Sequence, residues 1–277
     1  MMSIKVVVDS SVDLPEEILE KLDVEVVPLT VTFGNDHYLD RVEMSSEEFY
    51  NRMSIEKELP KTAQPAPGRF LEVFEKYGKK GYQIICLCLS SGLSGTYNSA
   101  LLAKSMSDTE VEVIDTKSGS AGIGILTYLS AKWAEVGKSL QQITADIKDY
   151  AENLTVYALL ETVENAVKGG RLSPIKGVIA NLLNLKVIVE VNEGKVNILE
   201  KVRGTKKAYE RLVQLVEEKA KGKAVPLVGL AHVANEKGTL ILKEMLQQVV
   251  KDAEFFQTTM SGTIGTYAGK GGIVLAF

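Results

Sequence analysis

Ile84-Ile85-Cys86-Leu87-Cys88-Leu89 runs directly into Ser90-Ser91-Gly92-Leu93-Ser94-Gly95-Thr96-Tyr97. The first six residues are an apolar run of strand length, the pattern of a strand buried on both faces in a parallel sheet. A hydroxyl- and glycine-rich turn follows. Tyr97, Ala100, Leu101 and Lys104 then recur at helical spacing. In open α/β sheets ligands bind where such a turn leaves the carboxyl end of a strand. Glycines let a ligand approach the backbone, and a helix N-terminus presents free N–H groups. The combination suits an anion such as phosphate, sulfate or carboxylate, although a plain strand-to-helix connection reads the same way. It is not a P-loop, because no Gly-Lys-Ser/Thr follows at the required spacing. Nor is it a dinucleotide fingerprint: Gly92 and Gly95 stand three apart with no Gly-x-Gly-x-x-Gly around them.

The same alternation extends through the first half. Ile4–Val8 reads as a buried strand, and Asp13 with Pro15 and Glu16-Glu17 reads as the start of a helix, with Asp13 as its N-cap. Strand signals at Val24–Val27 and Leu29–Phe33 are broken at Pro28. A helix starts at Ser45-Ser46-Glu47-Glu48. A loop, Thr62-Ala63-Gln64-Pro65-Ala66-Pro67-Gly68, feeds a helix carrying Phe70, Val73, Phe74 and Tyr77. Strand Val111–Ile114, the polar turn Asp115–Ser120 and helix Ala121–Val136 follow. Repeated units of this kind predict a parallel sheet with helices on both faces.

The second half differs. Asn192-Glu193-Gly194-Lys195 between Lys186–Val191 and Val196–Val202 is a hairpin signal. Helices at Lys206–Lys221 and Lys237–Lys251 alternate with strands at Val225–Ala231, Glu254–Thr258 and Ile273–Phe277. A hairpin among helices predicts a mixed sheet with helices to one side. The expected boundary follows the helix Gln141–Glu152, giving domains at 1–155 and 156–277. No Pro/Ser-rich linker separates them, so close packing is expected.

The chain has 277 residues, 45% hydrophobic, with a net charge of −4. That charge argues against a nucleic-acid binder relying on a basic surface. Cys86 and Cys88 lie on one face of one strand, where disulfide geometry is poor, and they read as reduced core thiols. Strand begins almost at once, without an apolar leader, and no run approaches membrane-span length. A cytoplasmic protein is expected, with at most transient membrane contact.

Candidate chemistry is sparse. A Ser94 nucleophile needs a base, and the chain has only His37 and His232. No His with Asp or Glu cluster suggests a metal, and no catalytic residue or cofactor is assigned. Asp9 and Asp13, beside Ser10 and Ser11, suit a cation or a turn. Arg171, between Gly169-Gly170 and Leu172-Ser173-Pro174, is either solvated or paired with an anion. The glycine-rich segment Ile264–Gly272 reads as a loop, in which Tyr267 either meets a ligand or caps a core.

Together these segments resemble the DegV family over nearly the whole chain. The resemblance rests on Asp9-Ser10-Ser11-Val12-Asp13-Leu14, Thr62–Gly68, Ser90–Tyr97, Gly169-Gly170-Arg171-Leu172-Ser173 and Ile264-Gly265-Thr266. It implies a two-domain DegV-like α/β fold: an N-terminal parallel α/β/α sheet domain and a C-terminal two-layer α/β domain with a mixed sheet. It also implies one long-chain fatty acid in an apolar tunnel, presented to a separate ATP-dependent fatty acid kinase that makes the acyl phosphate. On that resemblance the ligand-binding residues are Thr62, Ser94 with the Gly95 turn, Arg171 and Tyr267, with Arg171 handling the head group rather than the fold. The pattern departs at Tyr267, where family members often carry His, and at Lys270, where Pro or Glu is common. The competing function class is an enzyme acting on a small phosphorylated or acylated substrate in the same pocket.

Overall fold

The computed structural model describes residues 3–173 and 185–277. The chain opens with β1 (Ile4–Asp9), α1 (Glu16–Lys21) and β2 (Glu25–Val27). Next come β3 (Thr30–Phe33), β4 (Asp36–Leu39), α2 (Ser46–Ile55) and β5 (Lys61–Ala63). Helix α3 (Pro67–Gly78), β6 (Gln83–Cys88), α4 (Thr96–Met106) and β7 (Val111–Asp115) follow, then α5 (Ala121–Glu135) and α6 (Leu140–Asn153). Strands β2-β1-β6-β7 form an all-parallel sheet. Helices α3 and α4 pack on one face through Phe70, Phe74, Ala100 and Ala103. Helices α1, α5 and α6 pack on the other through Leu19, Ile123 and Ile143. Burial on both faces is why β1 and β6 are apolar without alternation. The strand order reverses direction between β1 and β6, so the crevice at their carboxyl ends is the topological switch point.

The remaining elements are β8 (Val156–Leu160), α7 (Glu164–Lys168), β9 (Leu185–Asn192), β10 (Lys195–Arg203) and α8 (Thr205–Ala220). They continue with β11 (Leu227–His232), α9 (Glu236–Val249), β12 (Glu254–Thr259), α10 (Gly262–Ala268) and β13 (Ile273–Ala276). Strands β10-β9-β8-β13-β11-β12 form a mixed sheet, in which only β11 and β12 pair in parallel. The β9–β10 hairpin turns at Glu193 and Gly194, both at positive φ (48° and 75°), as a two-residue primed turn requires. Helices α8 and α9 cover one face of this sheet through Tyr209, Leu212, Leu242 and Leu246. Its other face shares a continuous core with the parallel sheet. Val8, Leu126, Val156, Val189 and Phe256 all belong to that core. Helix α5 lies between the two sheets, with Ile123, Ile125, Leu126 and Thr127 fully buried. Among the described residues no helix is long and apolar enough to cross a membrane.

Several local readings change. Asp13 does not cap α1: Pro15 precedes that helix without a side-chain cap bond, and Asp13 is fully buried elsewhere. Capping loses because Arg41, Ser120 and Ser261 supply Asp13 with stronger buried donors. The segment from Thr62 is not all loop: Lys61–Ala63 pairs antiparallel with β3, while β4 pairs on its other edge. Ile264–Gly272 is not all loop either, because Gly262–Ala268 is helical, with Ser261 Oγ accepting from the Ile264 amide at 3.4 Å. The helix start at Ser45, now seen to carry a Ser45–Glu48 capping box, and the reduced Cys86–Cys88 pair, with sulfurs 3.8 Å apart, stand as read. Pro174 of the Arg171 motif lies outside the described residues.

Gly265 shows why α10 is glycine-rich. A Cβ there would fall on the Tyr50 hydroxyl, which donates to the Met260 carbonyl at 2.9 Å. Glycine to alanine within a helix ordinarily gains up to about 1 kcal/mol. Here the clash reverses the sign, and Gly265→Ala should destabilise by ~1–3 kcal/mol. Urea unfolding checks this; unchanged or raised stability would mean that Tyr50 yields freely.

Candidate functional site

Three turns meet at the switch point. The Asp9 carboxylate accepts from the Ser11 amide (2.9 Å), the Ser11 hydroxyl (2.5 Å) and the Leu89 amide (2.6 Å), which pins the end of β1 to the end of β6. The Ser90 amide donates to the Ser118 carbonyl at 2.9 Å. The Ser90 hydroxyl donates to the Gly194 carbonyl at 2.7 Å, so the tip of the β9–β10 hairpin docks on the turn after β6. Ser94 Oγ lies 2.9 Å from Thr96 Oγ1, just before α4.

Thr62 on β5 and Tyr267 on α10 reach the same place from 205 residues apart, with their hydroxyls 2.6 Å from each other. The Arg171 guanidinium stacks over the Tyr267 ring, 4.6 Å from its centroid. It donates to the carbonyls of Gly169 (2.7 Å) and Leu93 (3.3 Å). The Leu93 bond carries Arg171 to the residue beside Ser94. These polar contacts are with neutral carbonyls, and among the described residues Arg171 makes no salt bridge. A guanidinium keeps its charge at ordinary pH, and here its observed bonds leave that charge on neutral partners.

A cavity opens at this cluster. Thr62, Ser94, Arg171 and Tyr267 line it, with Ser120 and Thr263, and the rest of its wall is almost wholly apolar. One wall is the inner face of the mixed sheet. Val156, Ala158 and Leu160 alternate along β8, with Val189 and Val191 on β9 and Val274 on β13. Register places Val156 opposite Val191, and Ala158 opposite both Val189 and Val274. Leu29, Leu89, Leu93 and Ile264 face them. Gly95 stands behind this wall rather than in it. It precedes α4 with no side-chain cap bond, and a Cβ there would meet the Gln64 side chain.

A buried polar network supports the cluster. Asp13 accepts from Arg41 (3.0 Å), Ser120 Oγ (2.6 Å) and the Ser261 amide (2.7 Å). Asp40 accepts from Ser10 Oγ, the Gly262 and Thr263 amides and Thr263 Oγ1 at 2.5–3.2 Å. Burial pushes the carboxyls of Asp9, Asp13 and Asp40 above the ordinary range, while the hydrogen bonds aimed at them pull back. Burial also raises Tyr50, helped by the nearby Asp13 and Asp40, and so keeps its phenol a neutral donor. Ser120, a cavity wall residue, sits at φ 58° and ψ −132°. That conformation costs a non-glycine residue ~1–3 kcal/mol and persists where surrounding bonds over-determine it. The Ser120 amide donates to the Ser11 carbonyl (3.1 Å), and its carbonyl accepts from the Asp13 amide (3.3 Å).

Hydrolysis by Ser94 has no base here. His37 is exposed beside Thr32, 2.9 Å away. His232 is buried, with Nδ1 facing the Asn235 amide. Neither histidine lines the cavity. Among the described residues no group of three or more His, Cys, Asp or Glu is placed to hold a metal ion. Sequence reasoning did not place β8 and β9 as the apolar wall of a cavity, although period-two alternation over Val156–Leu160 carries that signal. It also missed Asp40, which stands between Leu39 and Arg41 with no motif around it.

Residues 3–277 match the profile described as "Uncharacterised protein, DegV family". The chain belongs to the DegV family. A DegV domain-containing protein of Clostridium acetobutylicum is 36% identical over 270 residues, covering 97% of this chain and 96% of that protein. The fold superposes on a DegV lipid-binding protein from Thermotoga maritima with a TM-score of 0.91 and 30% identity, covering 99% of this chain and 98% of that one. It superposes on a DegV family protein from Thermus thermophilus, described by its fatty acid binding, with a TM-score of 0.93 and 28% identity, covering 100% and 99%. These matches run through both sheets of this DegV chain.

Arg171 has packing contacts as well as a free charge. Truncation removes a cation–π stack of ~0.5–1 kcal/mol and two hydrogen bonds of ~0.5–1.5 kcal/mol each, partly replaced by water. Arg171→Ala should therefore cost about 1–2 kcal/mol in urea unfolding, with Arg171→Lys recovering part of the loss. An unchanged midpoint for Arg171→Ala would leave the side chain no role in holding Tyr267.

Proposed function

We propose that this DegV protein carries one long-chain fatty acid. Its carboxylate is held by Thr62, Ser94, Tyr267 and Arg171, while Gly95, behind the wall, shapes the turn that carries Ser94. Its tail lies along the valine-rich inner face of the mixed sheet. The observation that carries this reading is one cavity combining an apolar wall with a cluster of hydroxyls and a guanidinium that makes no salt bridge among the described residues. The ligand must match both parts, an anionic head on a long apolar body. The fatty-acid and lipid binding described for the Thermus and Thermotoga proteins supports the same reading.

The energetics agree. Burying roughly 15 methylene groups at ~0.8 kcal/mol each yields a gross gain of ~12 kcal/mol. Association and chain ordering reduce that by several kcal/mol. Desolvating the carboxylate opposes binding unless charged and hydroxyl donors replace its water. The Tyr267 hydroxyl supplies such a donor. A phosphorylated substrate fits less well, because its charge would face a largely apolar wall.

In this reading the protein is a carrier rather than the catalyst. It acts in the cytoplasm and presents the carboxyl end to a separate ATP-dependent fatty acid kinase. Residues 1–155 and 156–277 are the two domains of this reading, with the ligand between their sheets. Native mass spectrometry tests it. Freshly purified or hexadecanoate-loaded protein should show one fatty acid per chain, and Ser94→Ala should lose it more readily. A chain that stays bare in excess hexadecanoate, and instead turns over a generic ester or phosphate, would contradict the carrier reading.

A further inference from the structure

Asp40 is far from any motif, yet it touches both elements that form the head-group cluster. It follows β4 of the small sheet β4-β3-β5, which carries Thr62 on β5. Its amide donates to the Leu29 carbonyl at 2.9 Å, just before β3. Its carboxylate reaches across to α10, which carries Tyr267. The Gly262 amide donates to Oδ1 at 3.0 Å, and the Thr263 amide and hydroxyl donate to Oδ2 at 3.0 and 2.5 Å. Ser10 Oγ donates to Oδ2 at 3.2 Å while accepting from the Leu29 amide at 3.0 Å. The first amide in this row, that of Ser261, goes to Asp13. Three consecutive amides at the start of α10 therefore end on carboxylates from the first forty residues of the chain.

We propose that Asp40 is a positioning residue for head-group binding: it sets the place of α10 against β5, and so the Thr62–Tyr267 hydroxyl pair that meets the ligand carboxylate. This rests on the carrier reading above. The geometry requires an acceptor-only group. Four donors converge on two oxygens, three on Oδ2 and one on Oδ1, so each oxygen faces a donor and neither place suits an amide NH2. Leu29 and Thr263 are themselves cavity walls, so one carboxylate orders two walls and the head-group donor together. An Asn at this position would turn an NH2 toward backbone N–H donors, leaving buried groups unpaired. Asp40 never touches the ligand in this scheme, and its effect on affinity passes through Tyr267.

A double-mutant cycle tests that route. Delipidated parent, Asp40→Asn, Tyr267→Phe and the double variant are titrated with hexadecanoate by displacement of a fluorescent fatty acid. Each single variant should bind roughly tenfold more weakly, and the double variant no more than about twofold weaker than the worse single one. Losses that multiply in the double variant would overturn the proposal, as would an Asp40→Asn protein that binds like the parent. Should Asp40→Asn fail to fold, Ser10→Ala removes one of the four donors at a residue outside the cavity wall and enters the same cycle, with the same two outcomes deciding. A parent that binds no hexadecanoate would instead sink the carrier reading. A binding parent with multiplicative losses would sink only the role of Asp40.

Discussion

Over Ala121–Ala131 helix α5 has almost no wet face, and the rest of the molecule is arranged around that constraint. Its apolar side chains are buried from both directions, by the parallel sheet on one side and the mixed sheet on the other. A helix of this kind is stable only while both sheets cover it. The sheets therefore stand apart by about one helix diameter, roughly 10 Å. Where α5 begins, at Ala121, the space it would fill further along is left to Gly119, Ser120 and the cavity. The cavity is thus a consequence of layer spacing at the end of a buried helix.

The chemistry at the cavity follows from which chain ends arrive there. The carboxyl ends of β1 and β6 bring polar turns, because a parallel sheet changes direction there and its turns must face solvent or ligand. The mixed sheet brings an apolar face, because β8, β9 and β13 alternate and their other face is already occupied by α8 and α9. An apolar wall against a polar corner is an amphiphile-shaped environment. Arg171 gives the corner its sign, and the Thr62–Tyr267 pair gives it directional hydrogen bonds. The buried carboxylates Asp13 and Asp40 have their own donors, so they hold the corner in place without competing for the ligand.

Much of this was legible in the sequence. The Ile84–Leu89 run and the Ser90–Tyr97 turn located the switch point, since double-sided burial and glycine-rich turns leave local signals. The Asn192–Lys195 turn located the hairpin for the same reason. Thr62, Ser94, Arg171 and Tyr267 were named through motifs of a resembling family, and their convergence on one cavity is a tertiary fact. Asp13 was misread as a cap because its partners, Arg41, Ser120 and Ser261, lie 28 to 248 residues away. Helix α10 was misread as loop because its glycines, which weaken helix propensity, are there to admit Tyr50 and Phe49. Asp40 carried no local signal, because its partners at 262 and 263 are more than two hundred residues distant.

The central claim is that a fatty-acid carboxylate sits against Tyr267 and Thr62. The most direct measurement is the carbon-13 spectrum of carboxyl-labelled hexadecanoate bound to the delipidated protein, followed against pH. A carboxylate held by hydroxyls and Arg171 should show one resonance that resists protonation through the ordinary carboxyl range and shifts when Tyr267 is replaced by Phe. A resonance that titrates like a fatty acid free in solution, and is indifferent to Tyr267→Phe, would contradict the account.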